Sequence, residues 1–161
     1  METLSSEKIW QILDEVKDPE IPVVSVVEMG LIRAVGKEGN NVIVTMTPTF
    51  IGCPALNAMQ SDIEARLRQA GAENVTVRTV LSPAWSTDWM TTQAHEKLKN
   101  FGLAPPPRHE GQLDLALLES AACPYCGSED TTLKNSFGPT LCRAIYVCNS
   151  CRQPFEQFKP I

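Results

Sequence analysis

Cationic residues are in short supply: 14 Lys and Arg face 19 Asp and Glu, for a formal net charge of -5. General nucleic-acid binding and anionic-membrane binding both need clustered cations, so this balance argues against either partner. Long apolar runs are also missing. No stretch approaches the roughly 20 apolar residues that cross a bilayer, and the N-terminus has no basic region leading into an apolar run. The chain therefore reads as cytoplasmic with no membrane partner. Histidine is scarce, with 2 in 161 residues, and the paired carboxylate and histidine helices of a di-iron oxygenase site are absent. Neither a Walker loop, nor a dinucleotide fingerprint, nor a nucleophile-histidine-acid arrangement can be defended from spacing. Catalysis by this chain alone is not expected.

What the chain does have is cysteine, 6 in all. Without an export signal, two CxxC pairs read as metal ligands rather than disulfides. Cys123 and Cys126 bracket Pro124 and Tyr125, with Gly127 behind them, and Cys148 and Cys151 bracket Asn149 and Ser150. Four thiolates in two short knuckles suit a tetrahedral, structural zinc, and the chain between the knuckles leaves room for a hairpin. An iron-sulfur cluster would use the same four sulfurs and stays open. A module of this size buries too little surface to fold securely without such a staple. Cys142 is the spare thiol, and packing inside the hairpin is favoured over a role as alternative ligand. The module carries Lys134, Arg143, Arg152 and Lys159 against Glu129, Asp130 and Glu156, too small a surplus for a tract of phosphates. Tyr125, Phe137, Tyr146, Phe155 and Phe158 are expected to complete a miniature core or to dock onto protein.

The sixth cysteine stands apart, in TMTPTFIGCPALN. Val42 to Thr47 alternates as a half-buried strand, and from Ala55 onward apolar residues repeat at helical spacing. Cys53 falls at the junction. Pro54 suits a first helical position, which makes Cys53 the expected N-cap, with free amides and the helix dipole lowering the thiol pKa. A buried structural cysteine is the plainer alternative.

Around that junction, Ser5 or Ser6 caps a helix whose stripe is Ile9, Ile12, Leu13 and Val16 and whose end is expected near Lys17. Asp18, Pro19, Glu20, Ile21 and Pro22 then form a rigid acidic turn. Leu31 to Val35 and Val42 to Thr47 make a hairpin. Leu56, Met59, Ile63, Leu67 and Ala70 line a second helix stopped by Gly71. A strand runs from Val75 to Leu81, and a third helix carries Met90, Ala94 and Leu98 and ends at Gly102. His95 on that helix has no second ligand nearby in sequence. The expectation is an α+β protein: a helix-hairpin-helix-strand-helix domain over 1–102, a linker containing Pro105 to Pro107 over 103–122, and a zinc-ribbon-like module over 123–161. His109 lies in the linker without an obvious partner, and the alternation of Leu113, Leu115 and Leu117 hints at a short strand.

With DPEIPVVSVVEMGLI, TFIGCP and SPAWSTDWM in view, the first hundred or so residues resemble the small iron-sulfur-assembly domain of SufT-like proteins and cytosolic iron-sulfur targeting factors. Adding GLAPP, CPYCGS, FGPTLCRAIYVCNSC and PFEQFKPI, the whole chain resembles the PaaD family, accessory subunits of the bacterial phenylacetyl-CoA ring epoxidase. The resemblance implies a place in phenylacetate catabolism beside oxygenase and reductase subunits, as a non-catalytic component assisting maturation or repair of an iron or iron-sulfur centre. A structural docking subunit and a general iron-sulfur cluster assembly factor are the alternatives, and a homodimer is left open. By position, the family's acidic turn falls on Asp18, Pro19 and Glu20 and its reactive cysteine on Cys53. Cys53, Asp18, Glu20 and Thr47 are then the residues for transient metal or cluster handling, while Cys123, Cys126, Cys148 and Cys151 are the metal-binding knuckles. The tail ends in Lys159, Pro160 and Ile161 where the family often has a further cysteine.

Overall fold

A computed structural model describes residues 4–161, and the chain divides into two compact units, Met1–Trp85 and Ser86–Ile161. The boundary differs from residue 102 because the third helix packs within the second unit, against the strand that follows it.

In the first unit, helix α1 (Ser6–Asp14) is capped by Ser5, whose hydroxyl accepts from the Lys8 amide at 3.1 Å. It ends before Lys17 because the chain beyond it pairs elsewhere. Lys17 bridges Ser25, and the Val26 amide donates to the Val16 carbonyl at 2.9 Å. Strands β1 (Ile32–Glu38) and β2 (Asn41–Met46) form the expected hairpin, with a register shift between Ile32 and Ala34. Helix α2 (Leu56–Gln69) then carries the chain to β3 (Asn74–Thr79), which pairs parallel to β2, since a helical crossover returns a strand in the same direction. Val42, Val44, Met46 and Val75 face a core that also buries Ile9, Leu13, Met59, Ile63 and Leu67. Ala70, expected on the buried stripe, is exposed. Trp85 is buried and its indole N–H donates to the Met29 carbonyl at 2.9 Å.

The second unit begins with a 3-10 turn at Thr87–Trp89 and helix α3 (Thr92–Phe101), capped by Thr91 and closed by Gly102 in the left-handed region at φ 89°. Its sheet has four strands. Strands β5 (Thr131–Asn135), β6 (Arg143–Cys148) and β7 (Pro154–Phe158) run antiparallel, and the two residues of β4 (Leu103–Ala104) join β7 in parallel. The expected linker is thus partly built into the sheet, and Pro106 and His109 within it are buried. Leu115–Leu118 form a 3-10 turn rather than a strand, with Leu113 and Leu115 exposed. Of the five aromatic residues expected to complete a miniature core or to dock, Tyr146, Phe155 and Phe158 are buried while Tyr125 and Phe137 are exposed. Tyr146 and Phe155 stack at 5.6 Å, and the Tyr146 hydroxyl donates to the Leu118 carbonyl at 2.7 Å. Apart from these two rings, the buried cluster around them consists of alanines with Cys123 and Cys148. Each large apolar side chain contributes about 1.5–3 kcal/mol when buried, so this cluster is weak beside the first unit's core and leans on its cysteines. Among the described residues no helix is long and apolar enough to cross a membrane.

Candidate functional site

The strand ends and turns of the second unit place four cysteines together. In the first knuckle the Gly127 amide donates to the Cys123 carbonyl and the Cys123 amide to the Ser128 carbonyl, both at 2.9 Å. In the second, the Arg152 amide donates to the Cys148 carbonyl and the Cys148 amide to the Gln153 carbonyl, both at 3.0 Å. Both turns close on a left-handed residue, Gly127 at φ 76° and Arg152 at φ 65°. Only the glycine signals this in sequence.

The sulfurs of Cys123, Cys126, Cys148 and Cys151 lie within 4.8 Å of one another. Cys123 Sγ is 3.7 Å from Cys151 Sγ, and Cys126 Sγ is 3.5 Å from Cys148 Sγ. Metal-sulfur bonds of about 2.3 Å in a tetrahedron put sulfurs about 3.8 Å apart, so the set fits a tetrahedral metal ion. Electrostatics agrees with the geometry. The Cys151 amide, 3.4 Å from Cys148 Sγ, leads the interactions that hold the Cys148 thiol down to about 6. The Gln153 amide lowers Cys151, but burial and the neighbouring sulfurs outweigh it and push that thiol up to about 12. Thiols this close cannot all ionise unless a cation balances them. Cys142 lies outside the set, buried, with its sulfur 3.0 Å from Thr140 Oγ1. These four sulfurs could hold a metal ion.

The second constellation is in the first unit. Cys53 is not the N-cap of α2: Ala55 occupies that place in a helical conformation and makes no side-chain cap. The reason is a pair of turns ahead of the helix, in which the Cys53 amide donates to Phe50 and the Cys53 carbonyl accepts from Leu56 at 3.2 Å. Pro54 lies inside the second of these turns rather than at the first helical position. The thiol pKa is accordingly raised, not lowered. Burial is the main cause; hydrogen bonds from the Ala55 amide and the Thr49 hydroxyl oppose it, and the charges of Asp18 and Glu20 add to it.

The fold thus brings Asp18 and Glu20 within electrostatic reach of Cys53. Asp18 is buried, its Oδ1 accepting the Glu20 amide at 2.8 Å, while Glu20 is partly exposed. Thr47 is buried, its amide donating to the Leu31 carbonyl at 2.9 Å and its hydroxyl making no hydrogen bond. The hydroxyl that meets the Cys53 sulfur belongs to Thr49, a residue that sequence reasoning passed over.

Neither histidine enters a metal set among the described residues. His109 Nδ1 lies 3.1 Å from the Gly111 amide and 3.4 Å from Asp88 Oδ2, and Nε2 lies 3.0 Å from the Ile161 oxygen. Asp88 accepts the His109 amide at 3.0 Å on Oδ1 and the Gly111 amide at 3.2 Å on Oδ2. Burial alone would raise the Asp88 pKa, but these amides and the His109 ring carry it below the usual value. Burial, with the nearby Arg108 charge, lowers the pKa of His95.

Comparison with known proteins follows the two units. Residues 6–79 match the family described as iron-sulfur cluster assembly protein, and residues 109–159 the PaaD zinc beta ribbon domain. A protein of Escherichia coli K12, described as one of the subunits of a 1,2-phenylacetyl-CoA epoxidase, is 41% identical over 154 residues, covering 96% of this chain and 92% of that one. An Fe-S protein maturation auxiliary factor from Porphyromonas gingivalis is 37% identical over 93 residues, covering 56% of this chain and 87% of the relative. A crystal structure of a domain of unknown function from Bacillus anthracis aligns with a TM-score of 0.53 at 35% identity, covering 57% of this chain and 89% of that chain.

Proposed function

We propose, because the chain belongs to the PaaD family, that it is a non-catalytic accessory subunit of a phenylacetyl-CoA ring epoxidase, acting in phenylacetate degradation in the cytoplasm. In this reading it assists the loading or repair of an iron or iron-sulfur centre in the complex, and its partners are the oxygenase and reductase subunits. One observation carries the reading: a half-buried thiol lies within electrostatic reach of two carboxylates in a domain that matches iron-sulfur cluster assembly proteins.

The chemistry supports a transient ligand. A thiol with a raised pKa rests protonated, and Asp18 and Glu20 draw a cation towards it. Binding then exchanges the proton for the metal, and reprotonation releases the cargo. Thr47 directly follows β2, and its buried hydroxyl, without a hydrogen-bond partner, is the further oxygen this reading calls on. The four-cysteine site has the different task of holding shape with a permanently bound zinc, as sulfur separations of 3.5 and 3.7 Å and the burial of Cys123 and Cys148 favour.

The same raised thiol pKa also favours a second reading, a structural docking role in which Cys53 only packs. Replacing the chromosomal copy with a Cys53→Ala variant separates the two. Transient handling requires normal levels of folded protein with reduced epoxidase activity and iron content of the purified complex. Unchanged activity and iron would leave only the docking role.

A further inference from the structure

Strand pairing places Tyr146 opposite Phe155 and Ile145 opposite Glu156, and alternate residues of a strand face opposite sides. The Tyr146 side holds the core. The other side bears a row across three strands, Leu103, Glu156 and Ile145, at the floor of a cleft of about 390 Å³. Phe101, 47% exposed, and Tyr125, 58% exposed, also line it. Arg143 donates to Glu156 at 2.9 Å in the same wall, so the two charges cancel and the cleft offers no net charge to an ionic ligand. Its volume lies at the small end of the roughly 300–1,000 Å³ typical of ligand sites. It suits a side chain, not a nucleotide-sized cofactor.

Tyr125 lies between two of the metal-binding cysteines and rests on the helix-closing glycine. A Cβ built on Gly102 would lie 3.3 Å from the Tyr125 hydroxyl oxygen. The position of this wall is therefore tied to the Cys123–Cys126 turn, which the metal holds.

We propose that this cleft is the socket for one uncharged apolar anchor side chain, aromatic by preference, from another protein subunit of the complex, and that metal binding keeps the socket formed. Neutral rings that are half exposed, as Phe101 and Tyr125 are, gain most from such an anchor, because they shed water without stripping a charge. The inference rests on the accessory-subunit reading for the source of the anchor, and on the cleft itself for its chemistry.

The test has two arms. In the first, full-length protein with its metal is titrated with N-acetyl-phenylalaninamide while the methyl resonances of Leu103 and Ile145 are followed. Saturable shifts are expected, absent with N-acetyl-lysinamide and abolished by Ile145→Arg. In the second, the tagged chain is co-expressed with the oxygenase and reductase subunits. Ile145→Arg and Tyr125→Ala are each expected to keep full metal content and to weaken the complex about tenfold or more. If Ile145→Arg does not fold, Tyr125→Ala supplies both comparisons. Methyl resonances that do not respond to the amide, or a complex that both variants leave intact, overturn the socket. If the wild-type chain itself does not bind those subunits, the accessory-subunit reading fails, and the amide titration alone decides whether the cleft takes an apolar group.

Discussion

Asp18 lies close enough to Cys53 for its negative charge to oppose ionisation of the thiol. The relationship has a direction that can be measured. Asp18→Asn keeps an oxygen for the Glu20 amide that Oδ1 now accepts at 2.8 Å, but removes the charge. The Cys53 pKa should fall, giving more thiolate at pH 8 and alkylation by iodoacetamide up to about threefold faster, a modest gain because burial remains the larger cause. Rates of single-cysteine alkylation against pH, read by mass spectrometry, check this.

Removal of the metal should melt the sheet of the second unit. Cys123 and Cys148 belong both to the sulfur set and to the buried cluster around Tyr146 and Phe155, so losing the ion uncouples the core as well as the knuckles. Structural zinc sites contribute on the order of 10 kcal/mol. Chelation under reducing conditions is expected to abolish the near-ultraviolet circular dichroism of Tyr146, with recovery when zinc is added, and Cys148→Ala should behave as the chelated protein does.

Gly102 closes α3 at φ 89° with the Tyr125 ring against it. Gly102→Ala places a Cβ in the left-handed region, which costs about 1–2 kcal/mol, and crowds the phenol. A lower thermal midpoint is expected, with metal content unchanged.

The Asp88 carboxyl, held below its ordinary pKa by the His109 and Gly111 amides against the opposing effect of burial, stabilises the fold in its ionised form. A depressed folded pKa contributes stability that is present above the unfolded value of 3.8 and is lost as pH falls through the folded value. Asp88→Asn should therefore lower the thermal midpoint at pH 7, and the difference from wild type should shrink as the pH is taken below 3.8. Thermal scans across that range show whether it does.

How far the sequence revealed this protein depended on the range of the interactions involved. Val42 to Met46 and the stripe of Met59, Ile63 and Leu67 declared themselves because alternation and helical spacing are local. The four knuckle cysteines did so because their ligand chemistry restricts spacing. Sequence-distant pairings left little trace. Leu103 and Ala104 join the sheet only by pairing with Glu156 and Gln157, so nothing near them announces a strand, and the grouping of α3 with the second unit leaves as little local trace. Pro54 misled because a proline suits both a first helical position and a turn just before a helix. Leu113, Leu115 and Leu117 alternate as a strand does, yet among the described residues no partner strand reaches them, and Leu115 lies in a 3-10 turn instead. Within the Cys53 site, the acidic turn was legible as a turn, whereas the hydroxyl from Thr49 and the upward shift of the thiol came only with three-dimensional packing.

The most direct measurement of the central claim is an anaerobic titration of the full chain with ferrous iron, its ribbon metal in place, following alkylation of Cys53. Transient ligation predicts that iron protects Cys53 and that a chelator restores its reactivity without releasing the ribbon metal, with Asp18→Asn and Glu20→Gln weakening the protection. A Cys53 alkylation rate that iron leaves unchanged would contradict the account.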